Sequence, residues 1–361
     1  MPLFRKPVKG RVAEPSDRSR QHFRSVIQSA AGWGIVMRKF VLLGFLCALL
    51  IAGGQARCED RAPAWAYPVN PPDFKPPPDD GKPRQVPDSS ASYTVPQTRD
   101  RFFAPDWHPG DHPQMPEIVA RGRKPDVFAC GFCHRADGPG GPENAGLAGL
   151  SAAYIKQQMA DFKNGSRKTS VPERGPPQLM IALAKAASDE EVQASAEYFA
   201  ALKPSPLIKV VETSTVPKTY VAGWFLADAN NGEREPIGSR IIEVPEDVVQ
   251  FENRDARSRF IAYVPAGSIK QGEDLAAKGS AGPATQCIVC HGPGLNGLAD
   301  VPGIAGRSPS YIVRQLYDFK HGARTGSGSE LMKPVVETLT LDNMLALAAY
   351  AASLPPGTAS K

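Results

Sequence analysis

The sequence has no apolar run long enough to span a bilayer comfortably. The longest, residues 40–52, is about a dozen residues, where a crossing helix needs about 20. It has no strong excess of charge either: 42 Lys and Arg stand against 37 Asp and Glu, for a net +5. Nine of the basic residues fall in the first forty, so the imbalance is a basic tail and no nucleic-acid surface is expected. Cysteine and histidine are scarce, six of each. Histidines outside the two motifs described below are His22, His108, His112 and His321, and they supply no further pairs to complete a zinc site.

Proline, by contrast, is abundant, with 36 in 361 residues, about twice the usual share. Irregular stretches must therefore alternate with compact ones. Arg38 and Lys39 precede the apolar run, and Gly54 and Ala56 suit a cleavage site before Arg57. Residues 37–56 thus read as a secretory signal, and residues 1–36 as a leader upstream of a natural start at Met37. The expected location is the periplasm. The alternative is an uncleaved segment that anchors the chain to the inner membrane, the one route to membrane association. Arg57 before Cys58 argues against lipidation. Export sets the cysteine chemistry, because spare thiols in an oxidising compartment pair or are modified. Cys47 lies in the apolar run and would leave with the signal.

An internal repeat fixes the organisation. A shift of 157 residues places Cys130, Cys133 and His134 on Cys287, Cys290 and His291. It also matches Tyr154 to Tyr311, Gln158 to Gln315, Asp161-Phe162-Lys163 to Asp318-Phe319-Lys320, and Arg167 to Arg324. Beyond a loop the shift becomes 152, and Met180 falls on Met332. The expected segments are a proline-rich arm over 57–109, the first repeat over 110–204, a β-rich connector over 205–263, the second repeat over 264–356 and a tail over 357–361. Trp65 and Tyr67 are candidate anchors for the arm. Apolar residues at helical spacing predict helices over 151–163 and 308–320. Ser188 and Thr340 are expected to open two more. The connector reads as a few strands in a small sheet, with no ligand cluster of its own.

Cys-x-x-Cys-His is a haem-attachment signal. Two thiols add to the vinyl groups, and the adjacent imidazole reaches the iron from the same side. One copy alone would leave a thioredoxin-like pair or a zinc site open, but two copies in register inside a repeat argue against both. A sixth ligand calls for a soft neutral donor or a second histidine. Met180 and Met332 are the methionines that match across the repeat, 46 and 41 residues after their histidines; Met159 and Met344 align with Leu316 and Val192 and read as core. Cofactor-binding residues are therefore Cys130, Cys133, His134, Met180, Cys287, Cys290, His291 and Met332, holding two covalent haem c groups. A six-coordinate iron suits electron transfer rather than peroxide chemistry.

Each repeat resembles a class I cytochrome c, and the pair resembles the tandem two-haem bacterial cytochromes. The resemblance rests on Cys-Gly-Phe-Cys-His and Cys-Ile-Val-Cys-His-Gly, on Leu-Ala-Gly-Leu and Ile-Ala-Gly-Arg, and on the Tyr-Ile…Gln…Phe-Lys…Gly…Arg helix. The paired methionines and the final Tyr-containing helix complete it. About half the chain is covered, the arm and connector excluded. It implies a mostly α fold: two small helical haem domains in tandem, each with an early helix crossing the final one. It implies an electron carrier, not an enzyme, that meets a redox protein partner, a dehydrogenase or a terminal oxidase, through transient contacts. A dihaem peroxidase, a thiosulfate dehydrogenase, or a cytochrome subunit of a periplasmic dehydrogenase complex are the alternatives. In that family a proline carbonyl often accepts from the ligand imidazole. Pro302 suits this in the second repeat; the first has Ala145, which leads to the expectation of unequal haem potentials. Arg307 is a candidate partner for a propionate, with a solvated surface arginine as the alternative. Trp107, His108 and His112 form a conspicuous cluster, but Pro109 and Gly110 break any helix that would align the two histidines.

Overall fold

Local capping decides where the helices begin. Thr94 and Gln97 form a capping box that opens α1 (Val95–Arg99) in the arm. Pro116 precedes α2 (Glu117–Ala120), a single turn, and the first attachment motif is itself the short helix α3 (Cys130–His134). The Ser151 hydroxyl accepts from the Tyr154 amide and starts α4 (Ala152–Asn164), which ends on Gly165 in a left-handed conformation. Pro176 and Pro177 lie in the first turn of α5 (Gly175–Ala186), where a missing amide hydrogen costs nothing. Ser188 and Glu191 make a second capping box, and three acidic residues fill the first turn of α6 (Asp189–Ala201). Cap and charges both complement the free amides there.

This computed structural model describes residues 61–280 and 285–359, and Ala62–Lys361 forms one unit. The signal expected over 37–56, with Cys47 and Cys58, lies outside the described residues. After α6 come seven short strands and one helix: β1 (Ile208–Glu212), β2 (Thr215–Pro217), β3 (Thr219–Ala222), β4 (Phe225–Asp228), β5 (Arg234–Pro236), β6 (Ile242–Pro245), α7 (Val248–Glu252) and β7 (Phe260–Val264). β7 is the centre of a three-stranded sheet, parallel to β1 and antiparallel to β6, while β2 with β5 and β3 with β4 form separate antiparallel pairs. The second repeat follows as α8 (Ser268–Lys278), α9 (Cys287–His291), α10 (Pro309–Lys320), α11 (Lys333–Glu337) and α12 (Leu341–Ser353). Ser308 caps α10, and Thr340 with Asn343 boxes the start of α12. The described residues thus hold twelve α-helices and seven strands, a mixed but predominantly helical fold.

Each repeat has its own core. Val119, Leu150, Ile155, Ala196 and Phe199 pack in the first, and Val313, Leu339, Met344, Ala348 and Ala349 in the second. The arm joins the second core: Ala66 and Tyr67 are buried in it. The Tyr67 hydroxyl donates to Asp318 Oδ1 at 2.8 Å, and Arg314 donates to the Ala66 carbonyl at 2.7 Å. The two repeats differ in their first helix. In the second, α8 crosses α12 so closely that a Cβ on Gly272 would sit 2.0 Å from the Ala346 carbonyl oxygen. In the first, the early helix expected from the resemblance is reduced to the one turn of α2. Pro113 and Pro116 stand before it and Gly122 follows it in a left-handed turn, which leaves no room to lengthen it.

The Trp107 cluster docks the arm to the connector. Trp107 Nε1 donates to the Asn253 carbonyl at 2.8 Å, and His108 Nε2 lies 3.1 Å from Asp255 Oδ1, both buried. His112 Nε2 sits 3.2 Å from Asp106 Oδ1, and this bond raises its pKa to about 9. Among the described residues no three His, Cys, Asp or Glu side chains converge as a metal site.

Candidate functional site

The short helices α3 and α9 each present two unpaired cysteines and a buried histidine, His134 and His291 both 8% exposed. Each imidazole is oriented the same way. His134 Nδ1 donates to the Ala145 carbonyl, and His291 Nδ1 to the Pro302 carbonyl, at 2.8 Å in both cases. A carbonyl only accepts, so Nδ1 carries the proton and Nε2 keeps its lone pair for a metal. Burial lowers both imidazole pKa values, that of His134 to about 4, so both rings are neutral at physiological pH, the form that ligates. Phe199 packs edge-on to His134 at 6.1 Å. The Ala145 carbonyl accepts from its imidazole as the Pro302 carbonyl does. Gly141 pairs with Asn144, and Asn144 Nδ2 donates to the Cys133 carbonyl at 3.2 Å; these bonds fix the turn without a proline ring.

Both motifs open onto one cavity of about 750 Å³. Cys130, Cys133, His134 and Met180 line it from the first repeat, and Cys287, Cys290, His291 and Met332 from the second. Met180 lies on α5, and Met332 is the residue before α11. All eight residues singled out from the sequence are thus brought to one space. Met159 also lines it, whereas Met344 is core.

Between the motifs the wall is polar and nearly two-fold symmetric. Arg167 donates to Gln158 of its own repeat at 2.8 Å and to Tyr311 and Gln315 of the other at 2.8 and 3.1 Å. Arg324 donates to Gln315 at 3.0 Å and to Gln158 at 2.7 Å. Among the described residues its Nε is buried with no hydrogen-bond partner. Arg307 is half-buried rather than a free surface residue: it donates to the carbonyls of Gly303, Gly146 and Ala148, bridging the repeats, and desolvation lowers its pKa to about 10. A large apolar cavity with cysteine and neutral imidazole at its rim and buried cations along one wall fits a porphyrin bearing carboxylates. An orphaned guanidinium nitrogen in that wall has the chemistry of a propionate partner.

The sequence gives no hint that the arm and connector reach the first site. Arg174, in the five-residue excess between Arg167 and Met180, donates to the carbonyls of Pro68 and Trp224 at 2.6 and 3.1 Å. Arg254 of the connector stacks on Phe132, inside the first motif, at 3.6 Å. Among the described residues the second motif has no such cover: Val289 in it is 61% exposed, and Leu331, beside Met332, 71%.

No family model matches the chain. Individual proteins do. A thiosulfate dehydrogenase electron acceptor of Stutzerimonas stutzeri is 27% identical over 237 residues, 64% of this chain and 82% of that protein. Cytochrome c4 of Pseudomonas aeruginosa is 28% identical over 225 residues, 61% of this chain and 81% of its own. Cytochrome c-554(548) of Halomonas halodenitrificans is 32% identical over 68 residues, 19% of this chain but 82% of its own. The chain belongs to the class I cytochromes c, in their tandem two-haem form. It carries two covalently bound haem c groups and transfers electrons.

Proposed function

We propose that Cys130, Cys133, His134 and Met180 would hold the first haem, and Cys287, Cys290, His291 and Met332 the second. The observation that carries this reading is the shared cavity that all eight residues line. It agrees with one cytochrome c-type domain over 110–204 and another over 264–356, joined by the connector 205–263 and braced by the arm 57–109. Haem supplies the one-electron ferric/ferrous couple. The chain's own residues fix the imidazoles through Ala145 and Pro302 and hold the rings neutral, and Arg167 and Arg324 would offer positive charge to the porphyrin's carboxylates. Thioether ligation favours the ferrous state and raises the potential relative to two imidazoles.

The partner is a redox protein of the periplasm, reached after export through residues 37–56. Relatives named as electron acceptors of thiosulfate dehydrogenase support a dehydrogenase as donor. Exchange takes place at the second haem, where Ile288, Val289 and Cys290 are exposed while Gly131 and Phe132 of the first motif are buried. Such encounters are small and short-lived.

The deciding experiment is the visible spectrum of matured protein, oxidised and reduced, with haem counted per chain. Two low-spin haems and a far-red sulfur-to-iron band of two-haem intensity are expected. Met180→Ala or Met332→Ala keeps haem attached but turns one iron high-spin and lowers its potential. An unchanged low-spin spectrum in either variant overturns that ligand assignment.

A further inference from the structure

The residue after each haem-ligand histidine differs between the repeats, although the backbone does not. Arg135 has φ 68° and Gly292 has φ 75°. Glycine adopts this left-handed conformation freely; arginine persists there only when its surroundings hold it. Those surroundings are specific. Arg135 is 2% exposed, and its Nη1 donates to the carbonyls of Phe132 and Cys133 at 3.2 and 3.3 Å. Its guanidinium lies 4.8 Å from the Phe251 ring of the connector.

A second cation joins it from the connector. Arg254, also at positive φ, donates to the same Phe132 carbonyl at 3.1 Å and to the Thr98 carbonyl at 2.9 Å. Among the described residues the one carboxylate paired with either is Glu143, 3.6 Å from Arg135, and its Oε2 is buried without a partner there. Burial lowers both guanidinium pKa values, that of Arg254 to about 10; arginine nonetheless keeps its charge in proteins. The second motif has none of this. Gly292 takes the place of Arg135 and exposed Val289 that of Phe132. Among the described residues no arginine or lysine side chain donates to the backbone of α9. The arginines of the shared wall, Arg167 and Arg324, are related by the repeat.

Reduction adds an electron, and a fixed positive charge in a low-dielectric surrounding favours the reduced form. We infer that Arg135 and Arg254 set the haem of the first repeat at the higher reduction potential, so that electrons taken up at the open second site come to rest on the first. This inference rests on the haem assignment proposed above. Both arginines act on the haem through the field they create, as tuning residues.

The test is a spectroelectrochemical titration of the intact, haem-loaded protein, preceded by a haem count. Wild type should titrate in two one-electron steps. Arg135→Gly, which installs the residue of the second repeat, should move the upper step down and leave the lower one in place. Arg254→Gln should do the same, and Arg254→Lys, which keeps the charge, should restore the upper step. Met332→Ala should move the lower step, which assigns it to the second repeat. Two haems with both steps unmoved by Arg135→Gly and Arg254→Gln, or with only the lower step moved, would overturn the inference while leaving the haem assignment standing. A haem count below two in wild type overturns the assignment itself.

Discussion

Arg167 and Arg324, equivalent positions of the two repeats, face each other as an isolated antiparallel bridge, and each guanidinium reaches the glutamine of the opposite repeat. Backbone bonds from Lys168 to Ala323 and from Thr325 to Ser166 flank them at 2.7 Å each. The boundary between the haem sites is therefore a two-fold arrangement written twice in one chain. Residues that share a network are not additive. Arg167→Gln and Arg324→Gln should each destabilise the protein, and the double variant should depart from their sum by about 0.5–3 kcal/mol. Chemical denaturation of the four proteins closes the cycle. A coupling near zero would mean that the two arginines act independently.

Gly272 is where the first and last helices of the second repeat touch. An added Cβ meets the Ala346 carbonyl carbon at 2.6 Å as well as its oxygen, and backbone cannot step aside cheaply. Gly272→Ala should cost about 1–3 kcal/mol, the range for overpacking a filled core. Gly328, with nothing within 4 Å of its Cβ position, is the control, and Gly328→Ala should leave the melting temperature unchanged.

The pair of His112 with Asp106 makes the arm's attachment pH-dependent. The hydrogen bond to Asp106 raises the folded pKa from 6.5 to about 9. A raised pKa means that the folded state holds the proton more tightly, so the stabilisation is complete below about 6.5 and is lost as pH rises through about 9. The melting temperature of wild type should exceed that of His112→Gln most at pH 6, and the gap should close by about pH 10. A gap that stays constant across this range would remove the charge from the explanation.

Tyr67 ties the arm to the second repeat. Asp318 Oδ1 accepts from the Tyr67 hydroxyl and from the Ser170 amide, both at 2.8 Å. Burial, with the Asp318 charge beside it, pushes the phenol pKa well above its usual value, so the group is a donor at every practical pH. Tyr67→Phe leaves half of that carboxylate's bonding unmet and should cost about 1–3 kcal/mol. Limited proteolysis should then cut the arm near residues 61–75 faster than in wild type.

What could be read from the sequence is what depends on neighbours in the chain. Attachment of haem requires Cys130, Cys133 and His134 in fixed order, and a repeat displays that requirement twice. Helix starts depend on a cap whose side chain accepts from the amide three residues on. The windows 151–163 and 308–320 therefore fall within one residue of α4 and α10, and Ser188 and Thr340 both form capping boxes. Contacts between distant segments leave no such trace. Arg254 meets Phe132 across 122 residues, and Trp107 meets Asn253 across 146; nothing local to either partner announces the other. The shortened α2 was hidden for the opposite reason. The resemblance supplied a full helix there, and the prolines that forbid it belong to this chain.

One consequence of the parallel pairing of β1 with β7 concerns change rather than structure. Ile208 pairs with Phe260 and Glu212 with Val264, so the chain departs from and returns to neighbouring strands, about 5 Å apart. An excursion with its ends clasped can lengthen at little cost, since each doubling of a loop adds only about 0.6 kcal/mol of closure entropy. Insertions between β4 and β5 would therefore leave the spacing of the two iron sites untouched. A single residue gained inside β1 or β7 would instead shift one repeat past the other by about 3.3 Å. Over evolutionary time, the hairpins are free to vary and the clasp is not.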